Sequence, residues 1–233
     1  MRTVDREAPW KTLRPLPDDW SLIVGADTGT YMSAVFVAIP PGDEPQAIVL
    51  AEFPNYRYVA HEIELLGFSV PEWARQVMAA YRHLQPASSR CHAWADPNTQ
   101  FRAELLHYGI HLRPNQRKLE LRVEIAREYM QSVIPAIPGV REAQPRLLLM
   151  PWLEILPYEL EHAKWPEGTT GAGKFERIKE HDHTLDPLEH ALSRRPRSKA
   201  ILRRGKRSFL DRHLDTYKDP TRGAQGDPHL GLL

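Results

Sequence analysis

The stretch SLIVGADTGTYMSAVFVAIP, residues 21–40, predicts two neighbouring strands that are joined by a tight turn. Apolar residues fill both ends of the stretch, and the polar segment GADTGT separates them. Asp27 falls where the first strand leaves the sheet. A carboxylate there costs stability unless something pairs with it, and a divalent metal ion is one such partner. A turn aspartate bonded to nearby backbone is the alternative, because Asp-Thr-Gly is ordinary turn chemistry.

The segments that follow extend this pair of strands into a larger sheet. Strands at about 21–26, 31–39 and 46–53 are separated by short turn signals, so we expect an antiparallel meander. Beyond them the predicted order is β-β-β-α-β-α-β-α. This order favours an α/β domain with a mixed sheet of five to seven strands, flanked by helices.

Apolar periodicity predicts three helices in the middle of the chain. The first starts at Ser69, because Ser69, Pro71 and Glu72 form the pattern of a capping box. The second spans 99–108 and stops at Gly109, and the third spans 118–133 after a short strand at 110–112. The residues expected to point inward are Trp73, Val77, Tyr81 and Leu84, then Phe101, Leu105 and Tyr108, then Leu121, Ile125, Tyr129 and Val133.

A second acid repeats the arrangement at Asp27. The segment CHAWA, residues 91–95, predicts a strand, and Asp96 comes directly after it. Cys91, the only cysteine, is expected to be a small buried strand residue. A chain with one cysteine has no internal disulfide, which indicates a reducing compartment.

A third acidic cluster, HDHTLD, lies at residues 181–186. A helix that starts at Asp182 would place Asp182 and Asp186 on one face with His183 beside them. Alternatively, Asp186 caps the helix, Pro187 takes its first position, and Asp182 lies in the loop before it. In either case, Leu185, Leu188 and Leu192 line the packed side of this helix.

Three acids at such positions suit phosphodiester hydrolysis with two metal ions. Two ions about 4 Å apart activate water and stabilise the leaving oxygen, and shared carboxylates hold them. Hard ions such as Mg²⁺ prefer carboxylate oxygens. Zinc is less suitable because the sequence has neither a cysteine cluster nor an HExxH motif.

Two other features argue against a nucleotide-binding protein and against a membrane-spanning protein. The segment GTTGAGKF, residues 168–175, resembles a phosphate-binding loop, but Phe175 replaces the Ser or Thr that holds magnesium. No run of about 18 apolar residues exists, so no membrane span is expected.

The charge of the chain is unevenly distributed. Eight of the fourteen residues 194–207 are Lys or Arg and none is acidic, so the remainder carries −7 within a total of +1. A basic segment beside an acidic body suits a cation site next to a polyanion contact. A solvated tail without a specific partner is the alternative.

The three segments that carry these acids resemble the RNase H-like nuclease fold, and more closely the C-terminal nuclease domain of tailed-phage large terminase subunits. They are IVGADTGT (23–30), ADPNTQFRAELLHYGI (95–110) and EHDHTLDPLEHAL (180–192). The last is similar to the family's "DHalDAlryAl" ending, and YELEHAKWP (158–166) is similar to the "El..y.W" segment before it. Two departures are Pro187 in place of alanine and Glu189-His190 in place of "RY".

The resemblance implies roles for particular residues. Asp27, Asp96 and Asp182 would be the catalytic acids that bind two Mg²⁺ or Mn²⁺ ions, with His183 and Asp186 in support. In some relatives a histidine is the third ligand, so the choice between Asp182 and His183 stays open. The basic segment would hold double-stranded DNA through Arg194, Arg195, Arg197, Lys199, Arg203 and Arg204.

The same resemblance implies a biological setting. We expect a metal-dependent endonuclease that cleaves concatemeric viral DNA during packaging in the host cell cytoplasm. Its partners would be a terminase ATPase motor, a small terminase subunit and a portal. Since 233 residues leave no room for the motor, we expect an excised nuclease domain or a split subunit. The predicted organisation is a leader or linker at 1–20, the nuclease domain at 21–195 and a basic, mobile tail at 196–233.

Two alternative functions are compatible with the residues. One is a resolvase- or integrase-like nuclease of the same fold that acts on branched DNA or RNA hybrids. The other is an inert module that keeps the fold and holds DNA or docks a partner. Metal binding that depends on Asp27 and Asp96 would argue against the inert module.

Overall fold

The predicted meander forms the centre of a mixed sheet. The structure is a computed structural model. It describes residues 8–41, 46–85, 91–95, 99–136, 138, 142–163 and 182–194. The elements in chain order are β1 (Ser21–Asp27), β2 (Ser33–Ile39), β3 (Ala47–Glu52), β4 (Tyr56–Val59), β5 (Glu62–Leu65), α1 (Val70–Leu84), β6 (Cys91–Ala95), α2 (Thr99–His107), β7 (Arg113–Pro114), α3 (Leu119–Gln131), β8 (Val133–Ile134), β9 (Gln144–Pro145), β10 (Leu147–Leu149), α4 (Ile155–His162) and α5 (Leu185–Ser193).

Six strands make the main sheet, in the order β10-β3-β2-β1-β6-β7. β1, β2 and β3 pair antiparallel, whereas β6 is parallel to β1, β7 to β6 and β10 to β3. The predicted mixed sheet with three antiparallel strands at its start is therefore confirmed.

The two faces of the sheet pack against different helices. Leu22, Val24 and Ala26 alternate along β1 and join the apolar cluster under α1. The buried residues of α1 are Trp73, Ala74, Val77, Ala80 and Leu84. The opposite face carries α5. A Cβ atom on Gly25 would lie 1.8 Å from the carbonyl oxygen of Pro187, so glycine allows the α5 backbone to lie directly on β1.

The start of α1 is as predicted. The carboxylate of Glu72 accepts hydrogen bonds from the backbone N–H and the hydroxyl of Ser69, at 2.9 and 2.7 Å. Trp73 then enters the core, and its indole N–H donates to the carbonyl oxygen of Phe53 at 2.7 Å. The predicted stop of the next helix is also present, since Gly109 has a φ of +83°.

Some details differ from the predictions. The pairing of β7 falls at 113–114 rather than at 110–112, although Ile110 and Leu112 are buried. Tyr108 is 37% exposed and Val133 55% exposed, because both lie beyond the ends of their helices. Leu121 is only half-buried.

The hairpin of β4 and β5 was not predicted. Its turn residues Ala60 and His61 both have positive φ, as in the mirror-image turns that favour Asn and Gly. Neither residue signals such a turn, and the strands are short.

Residues 8–20, placed in the predicted leader, pack against the domain. Pro9–Thr12 forms a 3-10 turn. The ring of Trp10 lies 6.1 Å from that of Phe53 and 5.5 Å from that of His83. The predicted tail at 196–233 and the loop at 168–175 lie outside the described residues. Among the described helices, none has the length and apolar character needed to cross a membrane.

Candidate functional site

Asp27 is the last residue of β1 and is half-buried. The backbone N–H of Gly29 donates to its Oδ1 at 3.2 Å, which is the turn bond expected of an Asp-Thr-Gly segment. Across the sheet, Asp27 is the register partner of Ser33 in β2. Asp27 is thus held at the carboxyl end of β1, in the middle of the sheet.

Neither predicted start of α5 is correct. The helix begins at Leu185, with Thr184 before it, and the N–H of Asp186 donates to the carbonyl oxygen of Asp182 at 2.9 Å. Asp186 therefore lies in the first turn rather than at the cap, and Asp182 precedes the helix. The apolar side is as predicted, because Leu185, Leu188 and Leu192 are all buried.

A buried hydrogen bond joins the start of α5 to the start of β2, beside the end of β1. The hydroxyls of Ser33 and Thr184 lie 2.9 Å apart. Because Ser33 is the register partner of Asp27, this contact brings the segment with Asp182 to the strand end that carries Asp27. Asp182 is 4% exposed, and its Oδ1 lies 3.9 Å from Nδ1 of His183.

Glu159 in α4 holds this segment in place. Its Oε2 accepts the backbone N–H groups of Thr184 and Leu185, at 2.7 and 2.8 Å. Its Oε1 accepts the hydroxyls of Tyr56 and Tyr58, at 2.7 and 2.9 Å. The residue is fully buried, and burial raises its pKa although the four hydrogen bonds act in the opposite direction. A carboxylate also complements the positive end of the α5 dipole.

A second glutamate holds α4 in the same way. Glu52, the last residue of β3, accepts the backbone N–H groups of Glu154, Ile155 and Leu156 at 2.6 to 2.8 Å. Burial raises the pKa of this carboxyl too. The sheet thus positions α4, α4 positions α5, and α5 positions Asp182.

Aromatic rings surround His183. The ring of Tyr31 lies 4.6 Å from that of His183, and the ring of Tyr56 lies 5.7 Å away. The Tyr56 hydroxyl is also 2.6 Å from that of Thr184. Burial raises the pKa of Tyr56 far above its usual range, so the hydroxyl stays protonated.

The second predicted acid, Asp96, lies outside the described residues. Ala95, directly before it, pairs with Ala26, directly before Asp27, in the parallel ladder of β1 and β6. Asn115 donates its backbone N–H to the carbonyl oxygen of Ala95 at 2.8 Å.

The described residues provide part of a donor set for a metal ion. Within the described ranges, no three His, Cys, Asp or Glu side chains form a group that could hold one. Asp27 and Asp182 have the carboxylate chemistry that Mg²⁺ and Mn²⁺ prefer, and they approach the same strand end. The donor chemistry of these two carboxylates therefore fits a divalent ion.

Of the six predicted DNA-binding residues, only Arg194 is described. Its Nε donates to Oδ1 of Asn115 at 3.0 Å, and its guanidinium carbon lies 4.6 Å from the centre of the Trp94 ring. The other five, Arg195, Arg197, Lys199, Arg203 and Arg204, lie outside the described residues.

His190 stands in the C-terminal half of α5, where the resembling segment has an aromatic residue. It is buried, and Nη1 of Arg122 lies 2.9 Å from its Nδ1. Burial lowers the pKa of His190 to about 3, and the charges of Arg122 and Arg194 act in the same direction. The ring is thus neutral at physiological pH and serves as a packing and hydrogen-bonding group.

Sequence reasoning assigned no role to Glu52 or to Glu159, although Glu159 lies in the quoted segment 158–166. The available signal was an acid at a helical position between Leu156 and Leu160, where an apolar residue is expected. The partners of Glu159 are far away in sequence, so the spacing did not reveal its role.

Comparison with known proteins identifies the fold. No family model matches the sequence, and no curated protein matches it. A large terminase from a thermophilic bacteriophage, solved with ADP, is similar over 77% of this chain and 40% of its own, with a TM-score of 0.54 and 15% identity. The P22 large terminase nuclease domain is similar over 85% of this chain and 96% of its own, with a TM-score of 0.50 and 13% identity. The chain therefore has the RNase H-like fold of a large terminase nuclease domain.

Proposed function

We propose that this chain is a metal-dependent endonuclease that cuts concatemeric viral DNA during genome packaging. The observation that carries the proposal is the hydrogen bond between Thr184 and Ser33, the register partner of Asp27, which brings the Asp182 segment to the carboxyl end of β1 on a terminase-like fold. Catalytic residues commonly lie at the carboxyl ends of strands in open α/β sheets.

The register of β1 and β6 supports Asp96 as the second ligand. Neighbouring strands lie about 4.8 Å apart, and the residues before Asp27 and Asp96 are direct partners. Side chains alternate between faces along a strand. Gly25 and Asp27 share the α5 side of β1, so continuation of β6 by one residue would present Asp96 on that side.

Each residue has a separate task in this proposal. Bound Mg²⁺ or Mn²⁺, as a pair of ions, would supply an activated water and stabilise the leaving 3′ oxygen. Asp27 and Asp96 would hold the ions and Asp182 would complete the set, with His183 and Asp186 in support. Glu159 and the Tyr56 hydroxyl fix Thr184, so the Asp182 segment is ordered before substrate arrives.

The partners are part of the same proposal. The chain spans 40% of the length of the larger terminase it resembles. Cutting during packaging would require an ATPase motor, a small subunit and a portal, and would take place in the host cell cytoplasm. The DNA backbone would be held by Arg194 and the basic residues that follow it.

Plasmid cleavage tests the proposal. Supercoiled DNA is incubated with the full chain in EDTA, Mg²⁺ or Mn²⁺, and wild type is compared with Asp27→Asn and Asp96→Asn. Loss of an outer-shell partner of a metal site already costs about 10- to 100-fold, so loss of a ligand should lower the rate by at least about 100-fold. Asp19→Asn is the matched control, because Asp19 is exposed and precedes β1, whereas Asp27 is at the far end of that strand.

A second measurement covers a wild type that does not cut alone. Mn²⁺ should raise the melting temperature of wild type and of Asp19→Asn, but not of Asp27→Asn or Asp96→Asn. If no cleavage occurs and Mn²⁺ stabilises all four proteins equally, the proposed function is wrong and the fold is an inert module.

A further inference from the structure

Trp94 in β6 carries two arginines on its ring. The guanidinium carbon of Arg194 lies 4.6 Å from the ring centre, and that of Arg113 lies 5.8 Å from it. Arg113 comes from β7 and is exposed, whereas Arg194 follows α5 and is half-buried. Two separate elements thus bring positive charge to one aromatic ring.

This cluster lies next to the candidate metal centre. Trp94 is the register partner of Gly25 and is two positions before Asp96 in sequence. α5 crosses this face from Thr184 at β2, over Gly25 in β1, to Arg194 at Trp94. The ring that carries the two arginines therefore lies on the same face of the sheet as Asp27, level with a residue two positions before the end of β1.

The positive charge has no carboxylate counterpart among the described residues. The ion pairs of this part of the chain do not include Arg113, Arg122 or Arg194. Arg122 contacts the neutral ring of His190 instead. Arg194 is half-buried, and a partly buried charge is costly without a partner. The pair of arginines on Trp94 is therefore suited to an anion from outside the described chain.

Both arginines keep N–H donors that are available for a ligand. Asn115 accepts the Nε–H of Arg194, and its Nδ2 donates to Oγ of Ser193 at 2.9 Å. No hydrogen bond of the Arg194 or Arg113 terminal nitrogens occurs within the described residues. A guanidinium offers five N–H donors in a planar fork that matches a phosphate.

We propose that Arg113 and Arg194, seated on Trp94, form a binding site for a phosphate of the nucleic-acid backbone beside the scissile position. The proposal deepens the nuclease function and rests on it for the identity of the polyanion. The site shares Arg194 with the basic segment 194–207 and adds Arg113 from β7 and the ring of Trp94 from β6. Such a contact positions the backbone and carries no sequence preference.

DNA binding by the full chain in EDTA tests this site. Fluorescence anisotropy gives the affinity for two duplexes of unrelated sequence across a range of salt concentrations. Each lost phosphate contact reduces the slope of log K against log salt by about 0.9. We expect this reduction for Arg113→Gln and for Arg194→Gln, about twice as much for the double variant, and the same values with both duplexes.

Two controls separate charge from structure. Arg82→Gln removes an exposed arginine from α1, on the other face of the sheet, and should leave the slope unchanged. Arg194→Lys keeps the charge but loses the Nε bond to Asn115, so it should keep the slope and lower the melting temperature. If Arg194→Gln does not fold, Arg113→Gln alone decides, because its side chain is exposed.

The assignment is overturned if Arg113→Gln and Arg82→Gln have the same slope. A second result would also overturn it. Phosphate would replace chloride at constant ionic strength and would raise the melting temperature of wild type but not of the arginine variants, while the salt slope of DNA binding would be the same in all of them. The site would then bind free phosphate rather than DNA. Failure of the proposed function is distinguishable. If DNA binding depends on the arginines but no metal-dependent cleavage or stabilisation occurs, the nuclease proposal fails and the phosphate site stands. If metal-dependent cleavage occurs but the arginine variants keep the wild-type salt slope, the phosphate site fails and the nuclease proposal stands.

Discussion

α1 and α5 cover opposite faces of the same sheet, and their N-termini are stabilised by carboxylates in opposite ways. Glu72 caps α1 from within its own first turn and is exposed to solvent. Glu159 caps α5 from another helix, 25 residues earlier, and is fully buried. The first arrangement is a local signal, and the second exists only after the chain has folded.

The two faces differ in composition for the same reason. The α1 face is an apolar cluster whose packing depends mainly on size and hydrophobicity. The α5 face contains Gly25, Ser33 and Thr184, whose contacts need a particular backbone position. The stability of the domain depends on both faces, but the candidate site depends on the second.

The largest expected effect on stability is that of Gly25→Ala. Its Cβ would meet the backbone of Pro187 at 1.8 Å, and β1 is paired on both sides, with β2 and with β6. We expect a loss of at least about 3 kcal/mol, at the upper end of overpacking effects. Urea denaturation measures it, with Gly29→Ala as the control, because its Cβ would meet only Asp27 Oδ1 at 3.7 Å. Equal stability of the two variants would show that α5 does not lie on β1.

Glu159→Gln should have the next largest effect. Glutamine has one acceptor oxygen for four donors, so buried N–H and O–H groups lose their partners. We expect a loss of about 2 kcal/mol and faster hydrogen exchange at the Thr184 and Leu185 amides, with α1 unaffected.

The control for this effect is Glu161→Gln, an exposed position in the same helix. If Glu161→Gln opens the start of α5 as much as Glu159→Gln does, the buried carboxylate does not hold the helix.

Sequence reasoning succeeded where a signal was local. Apolar runs between turn signals located β1, β2, β3 and β6, and the Ser69–Glu72 spacing located the start of α1. The strand end located Asp27. These features depend on residues within a few positions of one another.

It failed where a contact joins distant segments. Sequence reasoning assigned no role to Gly25, which lies within β1 and allows the close approach of α5. The start of α5 was misplaced because Asp182, Thr184 and Asp186 are all good caps by type, and the choice among them is made by Glu159. No local pattern contains that information.

The pH dependence of stability should separate the two capping carboxylates. Burial raises the pKa of Glu159 in the folded protein above 4.5. The cost of burying its charge is therefore present at neutral pH and disappears as the pH falls through the folded pKa towards 4.5. The difference in unfolding free energy between wild type and Glu159→Gln should grow over that interval, and the difference from Glu161→Gln should stay flat. A difference that shrinks on acidification would contradict the burial of this charge.

Glu72→Gln should have the smallest effect on stability, and this effect should change with pH in the direction opposite to that of Glu159→Gln. Hydrogen bonds from the hydroxyl and the N–H of Ser69 lower the pKa of Glu72 below 4.5. Its contribution is thus present above pH 4.5 and is lost as the pH falls through the folded pKa. The difference between wild type and Glu72→Gln, measured by urea denaturation, should vanish in acid. Glu120 lies in the first turn of α3, which has no side-chain cap, so Glu120→Gln should change the pH dependence of stability less than Glu72→Gln does. If Glu72→Gln and Glu159→Gln respond to acid in the same direction, the contrast between an exposed local cap and a buried distant one does not hold.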